Sequence, residues 1–304
     1  MKKLTSILLF FLCIVLHAQN YKLTEITIEP EIIGNLYQTN NSKSIILIIP
    51  GSGPTDRNGN SAMTNNNSLK LLAESLANEK INVFTYDKRV VYMVKNYQKE
   101  KKEIPTLDFK HGINDVNTII NYLKNQLKYK NIIIAGHSEG ALIGMIAAQQ
   151  NTSAYISLAG SGHSIDEILK EQINKQAPML NADNEKILTE LKKGNLVKDV
   201  NPFLKSIYAE QNQPFLIEWI SYNPQKEIAK LQLPILIING TKDIQVQSKE
   251  ATALHQANPK SKLAIIENMN HIFKEIKLDS DNLASYNNPD LIKEITTFLK
   301  ENKL

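Results

Sequence analysis

The sequence has almost no cysteine and little excess charge. Among its 304 residues the one cysteine is Cys13, in the N-terminal segment. If that segment is removed, the mature chain has no disulfide, no catalytic thiolate and no cysteine-ligated metal. The 35 Lys and Arg residues nearly balance the 31 Asp and Glu residues. This balance argues against a nucleic acid or a membrane surface as the partner.

The N-terminal apolar run lacks the length of a membrane span. It covers residues 4–16, whereas a spanning helix needs about 20 residues. Lys2 and Lys3 precede the run and Ala18 follows it, which is the pattern of a signal peptide. We predict that residues 1–18 are cleaved and that the protein is exported, to the periplasm or beyond, with no stable membrane insertion. An uncleaved anchor is the alternative.

Short β-branched runs alternate with longer amphipathic stretches along the rest of the chain. This alternation indicates an α/β protein with a mostly parallel sheet flanked by helices. Apolar runs such as IILII and LPILII suit strands that are covered on both faces. We predict strands at residues 23–28, 34–38, 44–49, 82–86, 131–135, 155–158, 234–238 and 263–266. We predict helices at residues 68–78, 106–128, 141–149, 246–257 and 289–300.

The alternation of strands and helices stops between residues 161 and 230. This stretch has helical periodicity and no convincing strand. We therefore predict a core formed by residues 19–160 and 231–304, with residues 161–230 inserted as a helical cap over the carboxyl ends of the strands. The alternative is a helical excursion packed against the side of the core.

The strongest local motif is Gly136-His137-Ser138-Glu139-Gly140. It follows an apolar strand directly and opens a helix, which is the setting of a nucleophile elbow. The tight turn exposes the Ser138 hydroxyl, and side chains at either glycine would collide with the neighbouring strand and helix. A structural serine in a glycine-rich β–α turn is the alternative reading.

The segments IILIIPGSGP, AGHSEG, INGTKD and NMNH stand in the order and at about the spacing of an α/β-hydrolase. The chain therefore resembles that superfamily over nearly its whole mature length, and the resemblance implies the α/β-hydrolase fold with a helical cap insertion. Residues 50–60 resemble more narrowly a subgroup of exported esterases related to the serine aminopeptidase and monoglyceride lipase group. Residues 90–105, which we expect to form a basic loop, depart from the pattern of that subgroup.

In this fold the acid and then the histidine follow the nucleophile along the chain. Asp243 follows the predicted strand 234–238, and His271 follows the strand 263–266. We predict that Ser138, Asp243 and His271 form a catalytic triad. His163 is the alternative base. Asp166 and Glu167 are the alternative acids.

Backbone N–H groups are the expected donors to the oxyanion. The N–H of Glu139 lies at the start of the helix after Ser138, and the second donor is expected in the loop after the strand 44–49. The N–H of Ser52 is the first choice there and that of Gly53 is the second.

Four further residues are candidates for substrate binding. Arg57 could bind a carboxylate through its guanidinium, although bracing of its own loop with Asp87 or Arg89 is the preferred interpretation. His137 precedes the nucleophile and is also expected as a packed side chain. Phe215 and Trp219 are candidates for an acyl pocket or for ordinary cap core.

We predict a serine hydrolase that cleaves a small-molecule carboxylic ester through an acyl-serine, with neither a metal nor an organic cofactor. The same triad in an amide-cleaving, aminopeptidase-like enzyme is an alternative, disfavoured because no acidic cluster for an amino terminus is evident. Thioesterase or acyltransferase activity is a second alternative, since one acyl-enzyme can react with different acceptors. A non-catalytic binding protein on the same fold belongs to a different class.

Overall fold

The structure is a computed structural model that describes residues 20–39, 42–62, 64–97, 99–277 and 287–304. The predicted signal peptide and its cleavage point at Ala18 lie outside the described residues. Within the described part of the chain, no helix has both the length and the apolar character needed to cross a membrane.

Eight strands form one mixed sheet in the order β1-β2-β4-β3-β5-β6-β7-β8. The β1–β2 and β2–β4 pairs are antiparallel, and the other neighbours are parallel. This is the mostly parallel α/β sheet predicted from the alternating pattern. The strands are β1 (Lys22–Glu29), β2 (Ile32–Gln38), β3 (Ser44–Ile49), β4 (Asn82–Tyr86), β5 (Asn131–His137), β6 (Ala154–Leu158), β7 (Ile235–Gly240) and β8 (Lys262–Ile266).

Successive side chains of the central strands enter two different cores. On β3, Ile45 and Leu47 belong to one core cluster, whereas Ile46 and Ile48 belong to the other. A strand directs alternate side chains to opposite faces, so a continuous apolar run means that both faces are covered. The first cluster packs under α3, α4, α9 and α10, and the second under α1 and α11.

Eleven α-helices are described. They are α1 (Ser68–Asn78), α2 (Arg89–Tyr97), α3 (Phe109–Asn125), α4 (Glu139–Ala147), α5 (Ile165–Gln176), α6 (Asn181–Lys192), α7 (Lys205–Tyr208), α8 (Gln213–Ile220), α9 (Pro224–Ala229), α10 (Ser248–Ala257) and α11 (Pro289–Glu301). Helices α5 to α9 lie between β6 and β7 in the chain. Side chains from α5, α6, α7 and α8 share a third core cluster of their own, which includes Leu169, Leu188, Tyr208 and Leu216.

The structure differs from the sequence prediction after β4. Residues 90–105 were expected to form a loop, but α2 begins at Arg89. Its first residue binds carboxylates elsewhere in the fold, those of Glu29, Glu31 and Asp115. These partners are distant in sequence, so local pattern does not indicate the helix. The next helix, α3, begins at Phe109 because Asp108 accepts the N–H of His111 as an N-cap.

Candidate active site

Ser138 occupies a strained turn between β5 and α4. Its backbone has φ 55° and ψ −120°, a conformation that an L-residue adopts only under constraint from its surroundings. The Ser138 N–H donates to the carbonyl of Leu158 at 2.9 Å, and its own carbonyl accepts from Ala141 at 2.9 Å. The turn is thereby held to β6 on one side and to the first turn of α4 on the other.

The glycines of the motif allow backbones to approach closely around this turn. A Cβ on Gly136 would lie 2.2 Å from the carbonyl oxygen of Gly140, and one on Gly140 would lie 2.4 Å from that of Pro50. Both contacts are with backbone, which cannot move aside cheaply. The predicted collision at both glycines is therefore present, and α4 starts directly against the end of β3.

Asp243 and His271 are brought together from two different strand ends. His271 Nδ1 lies 2.8 Å from Asp243 Oδ2, and both side chains are buried. Asp243 Oδ1 accepts the backbone N–H groups of Gln245 at 2.9 Å and Val246 at 2.8 Å. With Nδ1 donating to the carboxylate, the other imidazole nitrogen is available to accept a proton.

His137 joins the nucleophile turn to the loop of His271. Its Nε2 lies 3.0 Å from the carbonyl oxygen of His271, and the two rings are 4.8 Å apart. Burial lowers the pKa of His137 to about 3, and the neighbouring His271 adds to this effect. The neutral, buried imidazole of His137 donates to this carbonyl and packs against the loop, and it lines neither cavity described below.

The side chain of Glu139 forms a buried ion pair that sequence reasoning did not identify. Glu139 Oε1 accepts from Lys88 Nζ at 2.7 Å, and the carboxylate is 1% exposed. Lys88 Nζ also donates to the carbonyl of Gly51 at 3.2 Å. One ammonium therefore joins the segment after β3 to the first residue of α4. The only sequence signal is the position of Lys88, two residues after the end of β4.

Two of the three candidate oxyanion donors, Ser52 and Glu139, line a cavity beside Ser138. A cavity of about 260 Å³ is lined by Ser138, Ser52 and Glu139. Gly53 lines a neighbouring cavity together with Ser52, and its φ of 76° suits a glycine. The loop is closed by Thr55, whose hydroxyl donates to the Ser52 carbonyl at 2.8 Å.

Arg57 binds groups within its own part of the protein. It donates to Asp87 through Nη2 at 2.7 Å, to Glu25 at 2.8 Å and to Asn35 at 2.9 Å. Arg57 lines neither cavity at the site. Asp87 accepts from both Nε and Nη2, and these contacts favour the loop-bracing interpretation over binding of a substrate carboxylate.

Phe215 and Trp219 lie on α8 at the wall of a cavity of about 600 Å³. Trp219 stacks on Phe109 with ring centroids 5.6 Å apart and an interplanar angle of 16°. Phe215 contacts the same Phe109 ring edge-on at 5.6 Å. Phe215 and Trp219 therefore both pack against Phe109 of the core and line this cavity.

The alternative catalytic groups have other partners. The His163 ring lies 2.8 Å from Glu250 Oε2, and this buried carboxylate also accepts the N–H groups of Gly162 and His163. Asp166 pairs with Lys192 and accepts the Ser164 hydroxyl. Among the described residues, no group of three or more His, Asp or Glu side chains could hold a metal ion.

Solved structures of similar fold are esterases and related enzymes. Est1E from Butyrivibrio proteoclasticus is 17% identical with a TM-score of 0.58, covering 92% of this chain and 98% of that chain. An esterase from Pyrococcus furiosus is 16% identical with a TM-score of 0.55, covering 92% and 91%. A dienelactone hydrolase from Anabaena variabilis is 14% identical with a TM-score of 0.54, covering 93% and 98%. At these identities the likeness establishes the fold.

No curated protein sequence matches the chain, but one family model does. The family described as "BAAT / Acyl-CoA thioester hydrolase C terminal" matches residues 117–272, just over half of the chain. The matched stretch includes Ser138, Asp243 and His271. The narrower likeness to serine aminopeptidase and monoglyceride lipase relatives stays a prediction. The chain belongs to the BAAT / acyl-CoA thioester hydrolase C-terminal family, within the α/β-hydrolase superfamily.

Proposed function

We propose that the protein is a serine hydrolase that cleaves carboxylic esters through an acyl-serine intermediate. The observation that carries the proposal is the 2.8 Å contact between His271 and the buried Asp243, at the sheet edge where Ser138 sits in a strained strand-to-helix turn. Activation of a hydroxyl requires a nucleophile, a base and an acid that orients the base, and we assign these roles to Ser138, His271 and Asp243.

In the proposed reaction His271 takes the proton from the Ser138 hydroxyl while the oxygen attacks the ester carbonyl carbon. Asp243 orients the imidazole and stabilises its protonated form. The N–H groups of Glu139 and Ser52 donate to the negative oxygen of the tetrahedral intermediate. His271 then gives its proton to the departing alcohol oxygen, and a water deprotonated by His271 releases the acid and frees Ser138.

Thioester hydrolysis is the second candidate, because the family that matches this chain carries an acyl-CoA thioester hydrolase in its description. The same acyl-serine would form, with a thiolate as the leaving group. Comparison of the turnover of an acyl thioester with that of a p-nitrophenyl ester of the same acyl group distinguishes ester hydrolysis from thioester hydrolysis. Aminoacyl p-nitroanilides tested beside them address the amide-cleaving alternative.

Labelling with a serine-directed fluorophosphonate tests the mechanism. We expect the label on the peptide containing Ser138, no label on Ser138→Ala, and kcat for a p-nitrophenyl ester reduced about 10⁴-fold or more in that variant. Ser161→Ala is the matched control, because Ser161 lines the same cavity, and it should label normally. A folded wild-type protein that is neither labelled nor active would contradict the proposal and favour a binding protein.

A further inference from the structure

Two cavities meet at the proposed reaction centre. The smaller, of about 260 Å³, is lined by Ser138, and the larger, of about 600 Å³, is not. Ser52 and Glu139 line both cavities, together with three cap side chains, Ile207, Leu216 and Trp219. The expected oxyanion donors therefore stand at the junction. A carbonyl bound there directs one substituent into each cavity.

The position of the acid–base pair decides which substituent enters which cavity. Gln245 and Val246 line the smaller cavity, and their N–H groups hold the carboxylate of Asp243. The leaving oxygen must lie within hydrogen-bond reach of His271 in order to receive its proton. The leaving group therefore belongs on the side of the smaller cavity. The acyl group points the other way, into the larger one.

The larger cavity has mostly apolar walls. Ile143 of α4 and Val94 of α2 line it from the core, with Leu107 between α2 and α3, and Phe215 and Trp219 close it from the cap. Its volume of about 600 Å³ is within the range of roughly 300–1,000 Å³ that holds a drug-sized ligand. An acetyl group would leave most of this space unfilled.

The charged residues that line the larger cavity are bound to one another. Lys88 pairs with Glu139 at 2.7 Å, and Arg89 pairs with Asp115 at 2.6 Å. Asp108 Oδ1 accepts the backbone N–H of His111 at 3.0 Å and lies 2.6 Å from its ring Nδ1. Within the described chain, the four less exposed ions of this cavity are thus paired with one another, whereas the side chains of Asp108 and His111 are 43% and 47% exposed. A carboxylate or ammonium on the ligand would be buried without a counter-charge, which is strongly unfavourable.

We propose that the larger cavity binds a bulky, uncharged, apolar acyl group, and that the smaller cavity takes the leaving group. This inference rests on the proposed hydrolase function. It names the substrate class as esters or thioesters of long or bulky neutral acids, and it excludes half-esters of diacids and esters of amino acids with a free ammonium group.

A set of p-nitrophenyl esters tests the size and charge of the acyl group. From acetate to octanoate we expect kcat/KM to rise at least about 100-fold, because each buried methylene contributes about threefold to fourfold. The ω-carboxylate and ω-amino analogues of the octanoate should be at least about 100-fold poorer than octanoate itself. A flat profile, or equal rates for the charged analogues, would overturn the inference.

Alcohol-side esters test the orientation. Acetates of increasingly long alcohols should show a much weaker dependence on length than the acyl series. A steeper dependence on the alcohol side would assign the larger cavity to the leaving group and overturn this part of the inference. Turnover of p-nitrophenyl acetate and labelling of Ser138 report on the proposed function separately. Loss of both would point to failure of that function rather than of the acyl assignment.

Val94→Trp tests the cavity itself. Val94 is 38% exposed and lines the larger cavity only, so the indole should fill space there. We expect kcat/KM for octanoate to fall at least tenfold more than kcat/KM for acetate does. Leu196→Trp is the control, because Leu196 is exposed and lines neither cavity. If Val94→Trp lowers kcat/KM for both esters equally, Ile104→Trp in the same wall must show the greater loss for octanoate, and its failure to do so overturns the assignment.

Discussion

Lys88 is the side chain that connects the two segments proposed to hold the oxyanion. It contacts the Gly51 carbonyl before Ser52 and the carboxylate of Glu139. It does not touch the reacting atoms in the proposed mechanism, so we regard it as a positioning residue. Displacement of a reacting group by about 1 Å lowers the rate on the order of 100-fold. We therefore expect removal of the Lys88 ammonium to lower the rate by up to that factor.

Lys88→Met should reduce kcat by about 10- to 100-fold with little change in KM, because the oxyanion donors lose their fixed separation. It also leaves the buried Glu139 carboxylate without a partner, which lowers stability. The double variant Lys88→Met with Glu139→Gln removes that charge and should recover stability while staying slow. Wild-type kcat in the double variant would assign Lys88 a purely structural role. Steady-state kinetics and urea unfolding provide the two readouts.

Lys274 determines part of the dependence of stability on pH. Its side chain is 1% exposed and donates to Asn287 Oδ1 at 3.2 Å. Burial lowers the pKa of its ammonium from 10.5 to about 8. Between pH 8 and 10.5 the unfolded chain therefore binds more protons at this residue, and the free energy of unfolding rises with pH across that window.

Lys274→Met should raise the free energy of unfolding at pH 7 by up to about 3 kcal/mol and remove the rise between pH 8 and 10.5. Lys293→Met, at an exposed position on α11, is the control and should change neither. Urea unfolding at pH 7, 8, 9 and 10 measures both effects. A wild-type slope retained by Lys274→Met would contradict the assignment.

At the scale of elements, the junction of β5 and α4 depends on backbone contact. Gly136→Ala would place Cβ 2.2 Å from the Gly140 carbonyl oxygen, and we expect a loss of about 3 kcal/mol or more. Gly194 offers a matched control, because it has a φ of 82° but nothing within 4 Å of its Cβ position. Gly194→Ala should cost about 1–2 kcal/mol. Thermal unfolding compares the two, and similar losses would refute the steric argument.

The central strands of the sheet could be predicted from the sequence because their apolar runs are continuous and both of their faces are covered. The sequence motif also indicated the turn at Ser138, since the glycines that permit it are adjacent to it. Helix α2 could not be predicted in this way. Arg89 is held by Glu29 on β1, Glu31 in the turn before β2 and Asp115 on α3. The Lys88–Glu139 pair was missed for the same reason, because its partners are 51 residues apart.

At the scale of the whole molecule, one arginine connects the β1–β2 hairpin to the parallel part of the fold. Arg89 begins α2 and pairs with Glu29 at the end of β1, with Glu31 before β2 and with Asp115 on α3. Asp115 is 6% exposed, and burial raises its pKa even though Arg89 opposes the effect. Because Asp115 is buried, removing Arg89 would leave an unpaired charge in the interior and lower the free energy of unfolding.

Arg89→Met should destabilise the protein by about 3–5 kcal/mol, because Asp115 stays buried without its cation. Adding Asp115→Asn should recover a substantial part of the loss. Lys102→Met removes an exposed pair with Glu100 and should change stability by less than about 1 kcal/mol. Urea unfolding of the variants is the measurement. An effect of Arg89→Met as small as that of Lys102→Met would show that the hairpin does not depend on this cluster.

The bond from His137 to the carbonyl of His271 has a consequence for motion. His137 is the chain neighbour of Ser138, so the proposed nucleophile and the proposed base are tied through a single peptide step and one hydrogen bond. When the sheet flexes, the two should shift together as one rigid unit. A displacement of helices α5 to α8 alone would then leave the turn at Ser138 and the loop of His271 in register with each other.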